Sequence, residues 1–195
     1  MNLEPVVLVG RVVRLEPLCL EHAEPLWRHA DDPEIWRYMP YGQVDTPEKL
    51  RALIAELLER QGRATDLCFT VFYQATGEPI GMTRYLAIDL KNRSLEIGGT
   101  WYGRAYRGTK VNIESKFLLL RYAFEQLGCI RVQLKADVRN MRSQRAIERL
   151  GAVREGVLRK HLIMPDGYVR SSVVYSILDE EWPAVKSHLL ALLAD

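Results

Sequence analysis

The 195-residue sequence predicts a mixed α/β fold, with a mostly antiparallel sheet of about six or seven strands and helices on both faces. Three observations indicate this class. Short alternating segments separated by turn residues predict an antiparallel meander over residues 67–102. Amphipathic segments predict helices before and after that meander. Residues 95–136 read as strand, loop, helix and strand, which is long enough for a crossover to a parallel neighbour.

Each element has its own local signal. Residues 11–18 alternate and predict the first strand, and residues 19–30 have helical spacing. A second helix, to about residue 61, begins at Asp45-Thr46-Pro47, where a capping residue precedes proline. Glycines just after their last turns close two later helices. The remaining predictions are strands over 67–73, 80–88, 95–102, 130–136, 155–164 and 168–178 and helices over 111–127, 142–150 and 180–193.

The composition excludes several classes of protein. The length fits one domain, so residues 1–195 are expected to form a single unit. The 27 Lys and Arg residues and 25 Asp and Glu residues give a net charge of +2, so no nucleic-acid partner is expected. The three cysteines and four histidines show no metal-binding or disulfide spacing, and no metal site is predicted. No membrane span or secretory signal is recognisable, and we expect a cytoplasmic protein.

A basic, glycine-containing loop lies between a predicted strand and a predicted helix, at residues 103–110. The first turn of a helix leaves backbone N–H groups unpaired, and these groups bind phosphates. Arg104, Arg107 and Lys110 add positive charge at an end where the helix dipole favours acidic residues. We interpret the loop as a phosphate-binding site; a loop with solvated arginines is the alternative.

One known phosphate motif is close to this loop. Gly103 and Gly108 followed by Thr109 and Lys110 nearly match a P-loop, but the threonine and lysine are transposed. That order matters because the lysine must reach the terminal phosphates and the next hydroxyl must reach Mg²⁺. The strand predicted at 130–136 could supply the usual acid at Asp137, yet it alternates and is not apolar throughout. A nucleoside triphosphatase is therefore the less favoured interpretation.

A second motif fits better. Residues 107–112, Arg-Gly-Thr-Lys-Val-Asn, resemble the pyrophosphate signature Arg/Gln-x-x-Gly-x-Gly/Ala of the GNAT acyl-CoA N-acyltransferases, with Lys110 and Asn112 where small residues are usual. Leu95-Glu-Ile-Gly98, residues 138–152 and the hairpin 155–178 resemble the RimJ/RimL-like branch, the ribosomal-protein N-terminal acetyltransferases. The resemblance covers about residues 9–182. It implies a GNAT fold and transfer of an acetyl group from acetyl-CoA to an amine of a protein N-terminus or a small molecule.

The resemblance also implies two catalytic side chains, Glu96 and Ser143. Only an uncharged amine attacks, and a carboxylate can take its proton. Strand alternation places Glu96 opposite Leu95 and Ile97, where relatives often carry the base; a structural ion pair is the alternative. Ser143 stands where this branch carries a hydroxyl that protonates the leaving thiolate. Its alternative role is helix capping.

Further residues are implied to bind acetyl-CoA. The strand around Thr100 and Trp101 supplies backbone N–H groups to the developing oxyanion, and Gly98 and Gly99 allow it to bulge. Asn140 is expected at the pantetheine arm. Arg142, Arg145 and Arg149 share one helix face, for which a solvated surface, the 3′-phosphate of CoA and an RNA contact all remain open. The predicted acetyl-CoA residues are Thr100, Trp101, Arg107, Gly108, Thr109, Lys110, Val111, Asn112, Asn140 and Arg145.

A second function stays open at this point. Lys110 and Asn112 depart from the usual signature and motivate a non-catalytic acyl-CoA sensor or regulatory module. The expected partner of an enzyme is the amine acceptor. Relatives are commonly homodimers, so a second copy of the chain is a candidate partner.

Overall fold

The computed structural model describes residues 3–194. Its centre is one eight-stranded sheet with the order β1-β2-β3-β4-β5-β6-β8-β7. The strands are Leu8–Val9 (β1), Val13–Pro17 (β2), Leu67–Tyr73 (β3), Pro79–Asp89 (β4), Ser94–Tyr102 (β5), Arg131–Asp137 (β6), Val153–Ile163 (β7) and Val169–Leu178 (β8). The helices are Ala23–Ala30 (α1), Pro33–Trp36 (α2), Pro47–Gly62 (α3), Lys110–Glu125 (α4), Met141–Arg149 (α5) and Trp182–Ala194 (α6).

Helices cover both faces of the sheet. Leu67 and Phe69 belong to one core, which α4 and α6 complete, while Cys68 between them belongs to a second core under α1 and α3. Successive residues of a strand point to opposite faces, so the two cores lie on opposite sides of the sheet. The predicted mixed fold, with helices on both faces of a mostly antiparallel sheet, is confirmed.

Some elements differ from the prediction. The sheet has eight strands because β1, which pairs with β2 through Leu8 and Val9, is too short to show a period in the sequence. The single turn α2 was also not predicted; Asp32 caps it by accepting a hydrogen bond from the Glu34 N–H at 3.1 Å. The helix predicted from residue 19 begins as a 3₁₀ turn at Leu20–His22.

Neighbouring strands are antiparallel except β5 and β6, which α4 connects as a parallel pair. Their pairing stops early: Ser94 faces Arg131, Leu95 faces Val132 and Glu96 faces Gln133, and no later pair forms. Since β5 continues to Tyr102 and β6 to Asp137, the two strands separate after Glu96 and leave a gap inside the sheet.

A bulge lies on β5 beside this gap. Arg84 of β4 faces Gly98 and Met82 faces Trp101, so Gly99 and Thr100 together oppose Thr83. Gly99 has φ of +57°, a left-handed conformation that glycine adopts without strain. The predicted bend at the glycine pair is therefore present, and it changes the direction of the strand at the gap.

Among residues 3–194, no helix is long and apolar enough to cross a bilayer.

Candidate active site

The gap between β5 and β6 opens into a groove of about 1410 Å³. The second halves of β5 and β6, the first turns of α4 and α5 and the segment from α2 into α3 form its walls. Every predicted site residue lines this groove except Lys110 and Val111. The lining residues from the prediction are Glu96, Thr100, Trp101, Arg107, Gly108, Thr109, Asn112, Asn140, Ser143 and Arg145.

The Glu96 carboxylate lies where the two strands separate. Its side chain is 5 % exposed, and Oε2 accepts hydrogen bonds from Lys135 Nζ at 2.9 Å and Gln133 Nε2 at 3.0 Å. Lys135 is the partner that the sequence did not reveal, because it lies on a different strand. The pair holds the carboxylate at the edge of the groove, so the ion-pair alternative for Glu96 is realised without removing Glu96 from the site.

The β5 backbone supplies unpaired donors to the groove. In an antiparallel pair alternate N–H groups point away from the partner, and after Glu96 no β6 backbone faces those of β5. The bulge at Gly99 and Thr100 turns this stretch further. Backbone N–H groups in such a position can stabilise a developing negative charge on a carbonyl oxygen.

The phosphate loop lies at the other end of the groove. Thr109 begins α4, and its Oγ1 accepts a hydrogen bond from the Val111 N–H at 3.3 Å. Gly108 has φ of +76°, and a Cβ built on it would have no atom within 4 Å, so the loop is open there. Arg107 is held by the protein itself: Nη2 lies 2.8 Å from Asp32 Oδ2, and Nε donates to the Tyr102 carbonyl at 2.9 Å.

Lys110 and Val111 leave the groove for identifiable reasons. Lys110 Nζ donates to the Leu193 carbonyl at 3.0 Å, in the last turn of α6, where carbonyl groups lack helical partners and the dipole favours a cation. Val111 is 1 % exposed and packs in the core below α4. Of these two residues, only backbone groups remain available to a phosphate.

The start of α5 forms the wall opposite β5. Asn140 caps this helix, since its Oδ1 accepts a hydrogen bond from the Ser143 N–H at 3.1 Å. The capping alternative therefore holds for Asn140, while the Ser143 hydroxyl stays at the groove. Arg142, Arg145 and Arg149 line the same groove, and in the described part of the chain none of the three pairs with a carboxylate. Positive charge at this end therefore comes mainly from α5.

A family sequence profile described as an acetyltransferase (GNAT) domain matches residues 13–153. The chain belongs to the GNAT acetyltransferase family. The matched span contains Glu96, the phosphate loop and Ser143. The family predicted from the sequence is thereby confirmed.

Curated GNAT relatives agree with this assignment. The uncharacterised N-acetyltransferase p20 of Bacillus licheniformis is 28 % identical over 171 residues, 86 % of this chain and 93 % of p20. A provisionally named ribosomal N-acetyltransferase of Bacillus subtilis, YdaF, is 34 % identical over 110 residues, 56 % of this chain and 59 % of YdaF. The ribosomal name agrees with the predicted RimJ/RimL-like branch.

Solved GNAT structures superimpose closely. A provisionally named acetyltransferase from T. thermophilus is 45 % identical, has a TM-score of 0.90 and shares 99 % of this chain and 100 % of its own. Mycobacterium smegmatis RimJ, solved in complex with CoA-disulfide, has a TM-score of 0.83 and 21 % identity over 96 % of this chain and 95 % of its own. At that identity the RimJ likeness establishes the GNAT fold alone.

Two groove residues of this GNAT chain escaped the sequence-based prediction. Arg84 is 5 % exposed, and its Nη1 pairs with Asp66 Oδ2 at 2.8 Å, while Nε has no hydrogen-bond partner in the described chain. A Cβ on Gly99 would lie 2.9 Å from Arg84 Nε and 3.3 Å from Tyr41 Oη, so both donors face the bulge. The available signal was a lone arginine in an otherwise apolar strand.

The other missed residue is Lys116 on α4. It is 5 % exposed, and Nζ donates to Thr100 Oγ1 at 2.5 Å. Burial lowers the pKa of Lys116 from 10.5 to about 7. Its spacing of four residues from Asn112 places both on the groove side of α4, and this was the signal in the sequence.

The cysteines and histidines provide no further centre. Cys68 and Cys129 are buried as predicted, and burial raises the pKa of Cys68 to about 12 and that of Cys129 to about 11. Such thiols are poor nucleophiles. Within residues 3–194, no three His, Cys, Asp or Glu side chains cluster as metal ligands would.

Proposed function

We propose that the protein is an N-acetyltransferase that moves the acetyl group of acetyl-CoA directly to a primary amine. The observation that carries this proposal is the separation of β5 from β6 directly after Glu96. It joins three requirements in one groove: a carboxylate, unpaired backbone donors and a phosphate loop. A family assignment alone would not establish that these groups meet.

The groove fits acetyl-CoA, whose thioester supplies the carbonyl that an amine attacks. The open backbone at Gly108 and the first turn of α4 would bind the pyrophosphate. Arg142, Arg145 and Arg149 would bind the remaining phosphate charge. Asn140 stands between the two ends of the groove, where the pantetheine arm must pass. Arg107 contributes through its pair with Asp32, which fixes the loop to the α1–α2 connection.

Glu96 would take the proton of the acceptor amine, directly or through a water molecule. An α-amine, with an ordinary pKa of about 8, loses this proton more readily near neutral pH than a lysine does. The nucleophile is then the acceptor itself, and the buried thiols Cys68 and Cys129 have no part in the reaction. On the opposite wall, the Ser143 hydroxyl is placed to give a proton to the departing thiolate.

The acceptor would enter from the α2–α3 side, where Tyr41 and Arg84 face the bulge. The name of YdaF supports a protein N-terminus as acceptor, with small amines as the alternative. We also infer a cytoplasmic homodimer. The edge strand β7 supports the dimer because its exposed side chains include Val153, Val157 and Ile163.

The sensor alternative loses its motivation. It rested on the Lys110 side chain obstructing the phosphate loop, and that side chain is turned to Leu193 instead. Asn112 remains in the groove, where its Oδ1 accepts a hydrogen bond from Tyr102 Oη at 3.3 Å.

The test is incubation with acetyl-CoA and a peptide that has a free N-terminus, with mass spectrometry of the product. The same peptide with a blocked N-terminus, and ATP with Mg²⁺ in place of acetyl-CoA, are the controls. We expect one acetyl group on the free N-terminus alone. Tight binding of acetyl-CoA without transfer to the peptide or to a panel of small amines would overturn the enzyme proposal in favour of the sensor.

A further inference from the structure

Three polar groups form a closed set between α4, β4 and β5. Lys116 Nζ lies 2.5 Å from Thr100 Oγ1 and 3.3 Å from Thr83 Oγ1, and the two hydroxyl oxygens are 2.8 Å apart. Thr83 is 1 % exposed, whereas Thr100 is half-buried and lines the groove. Thr100 is therefore the member that connects this set to the place where an acceptor would bind.

No charged group compensates Lys116. Nζ has no carboxylate within 4 Å in the described part of the chain, and burial is the cause of its lowered pKa. The ionisable side chains on the three surrounding elements are engaged elsewhere. Glu114 of α4 accepts from the backbone of residues 11–13, Arg84 of β4 pairs with Asp66, Glu96 of β5 pairs with Lys135, Tyr85 of β4 donates to the Leu119 carbonyl, and Tyr102 of β5 donates to Asn112.

The charge state of Lys116 determines what Thr100 can offer to the groove. An ammonium group has three donors and no acceptor, so the Thr100 oxygen must accept and its own O–H is left to point outward. An uncharged amine has a lone pair that accepts the Thr100 O–H, and the free lone pairs of the Thr100 oxygen then face the groove. The first state presents a donor to the groove, and the second presents an acceptor.

We propose that Lys116 is a positioning residue of the acetyl transfer that acts through Thr100: uncharged, it keeps Thr100 as a hydrogen-bond acceptor for an N–H of the incoming amine. This inference rests on the proposed function. It assigns Lys116 a role separate from that of Glu96, which takes the proton. It also accounts for a lysine that is buried without a counter-charge, an arrangement that costs stability.

The test is the pH dependence of kcat at saturating substrates, between about pH 5.5 and 9. The acceptor is a weakly basic amine that stays uncharged over this range, so its own titration does not contribute. In the wild type, kcat should rise through about pH 7. Lys116→Met should remove that rise and lower kcat at the alkaline end roughly tenfold or more, with the KM for acetyl-CoA within about twofold. Lys116→Arg, permanently charged, should stay at the low-pH level throughout.

Controls separate positioning from folding. Lys186→Met removes a surface lysine paired with Glu125 and should leave the profile unchanged. If Lys116→Met does not fold, Thr100→Val removes the same link while Lys116 stays, and Thr100→Ser should restore the rise. A Lys116→Met or Thr100→Val enzyme that keeps the wild-type rise and rate overturns the role of Lys116 alone. A wild type that acetylates no amine overturns the proposed function and this inference together.

Discussion

Glu96 Oε2 lies 2.9 Å from Lys135 Nζ, across the point where β5 and β6 separate. Glu96 faces Gln133 in the last residue pair of the two strands, and Lys135 is two residues further along β6. The ion pair therefore closes the paired part of the sheet and begins the groove. It restricts the carboxylate to one orientation, which a residue that must meet a substrate proton requires.

Replacement of Glu96 by glutamine should lower kcat about 10²- to 10³-fold, because the amide cannot take a proton. The amide can still bond to Gln133 and Lys135, so the fold and the affinity for acetyl-CoA should stay close to wild type. Steady-state kinetics and calorimetric titration with acetyl-CoA measure the two effects. Glu155→Gln, which changes a glutamate paired with Arg131 outside the groove, is the matched control. Turnover that survives in the Glu96 variant would show that another group accepts the proton.

Replacement of Arg145 by glutamate should raise the KM for acetyl-CoA about tenfold or more, with a smaller effect on kcat. The reason is that Arg145 lines the phosphate end of the groove and has no carboxylate partner in the described chain. The defect should diminish as salt increases, since both charges are exposed and screened. Arg159→Glu, on the exposed face of β7, controls for the change of net charge. Equal KM values for the two variants would exclude α5 from cofactor binding.

Glu114 fixes α4 to the β1–β2 turn, and its loss should destabilise the fold. Its carboxylate accepts hydrogen bonds from the N–H groups of Arg11 at 2.9 Å, Val12 at 2.6 Å and Val13 at 2.7 Å. Glu114→Ala leaves these donors unpaired and should lower the free energy of unfolding by roughly 2–4 kcal/mol. A Cβ on Gly10 would lie 2.4 Å from Glu114 Oε2, so Gly10→Ala should destabilise as well.

Urea unfolding measures both variants of this anchor. Glu59→Ala, on the exposed side of α3, is the control and should change stability by less than about 0.5 kcal/mol. An unfolding midpoint for Glu114→Ala equal to that of Glu59→Ala would contradict the anchoring role.

Lys116 should give the stability curve a measurable slope. Its pKa is lowered by burial from 10.5 to about 7, so between these pH values the unfolded chain binds more protons and stability rises with pH. The slope approaches ~1.4 kcal/mol per pH unit for one such group. Lys116→Met should therefore be more stable than wild type near pH 7, and the difference should shrink toward pH 10. Urea unfolding at several pH values tests this, and a constant difference would contradict it.

Local patterns in the sequence predicted most of the secondary structure. The start of α3 is an example, since Thr46 Oγ1 accepts from the Lys49 N–H at 3.2 Å and Pro47 occupies the first turn. The loop before α4 was also located correctly, because a helix start with clustered cations is a local feature. Short elements were missed: β1 has two residues and α2 one turn, too few for a period to appear.

The sequence by itself thus determined the fold class, the family and which segments line the groove, since each depends on residues close together in the chain. Only the tertiary structure decided where individual side chains point. It placed Lys135 beside Glu96, Asp32 on Arg107 and the Leu193 carbonyl on Lys110. It also brought Lys116 to Thr100, sixteen residues away, and Arg84 to the bulge at Gly99. Hydrogen bonds and burial between distant segments leave no periodic mark in a sequence, and for this reason these partners appear only in the folded chain.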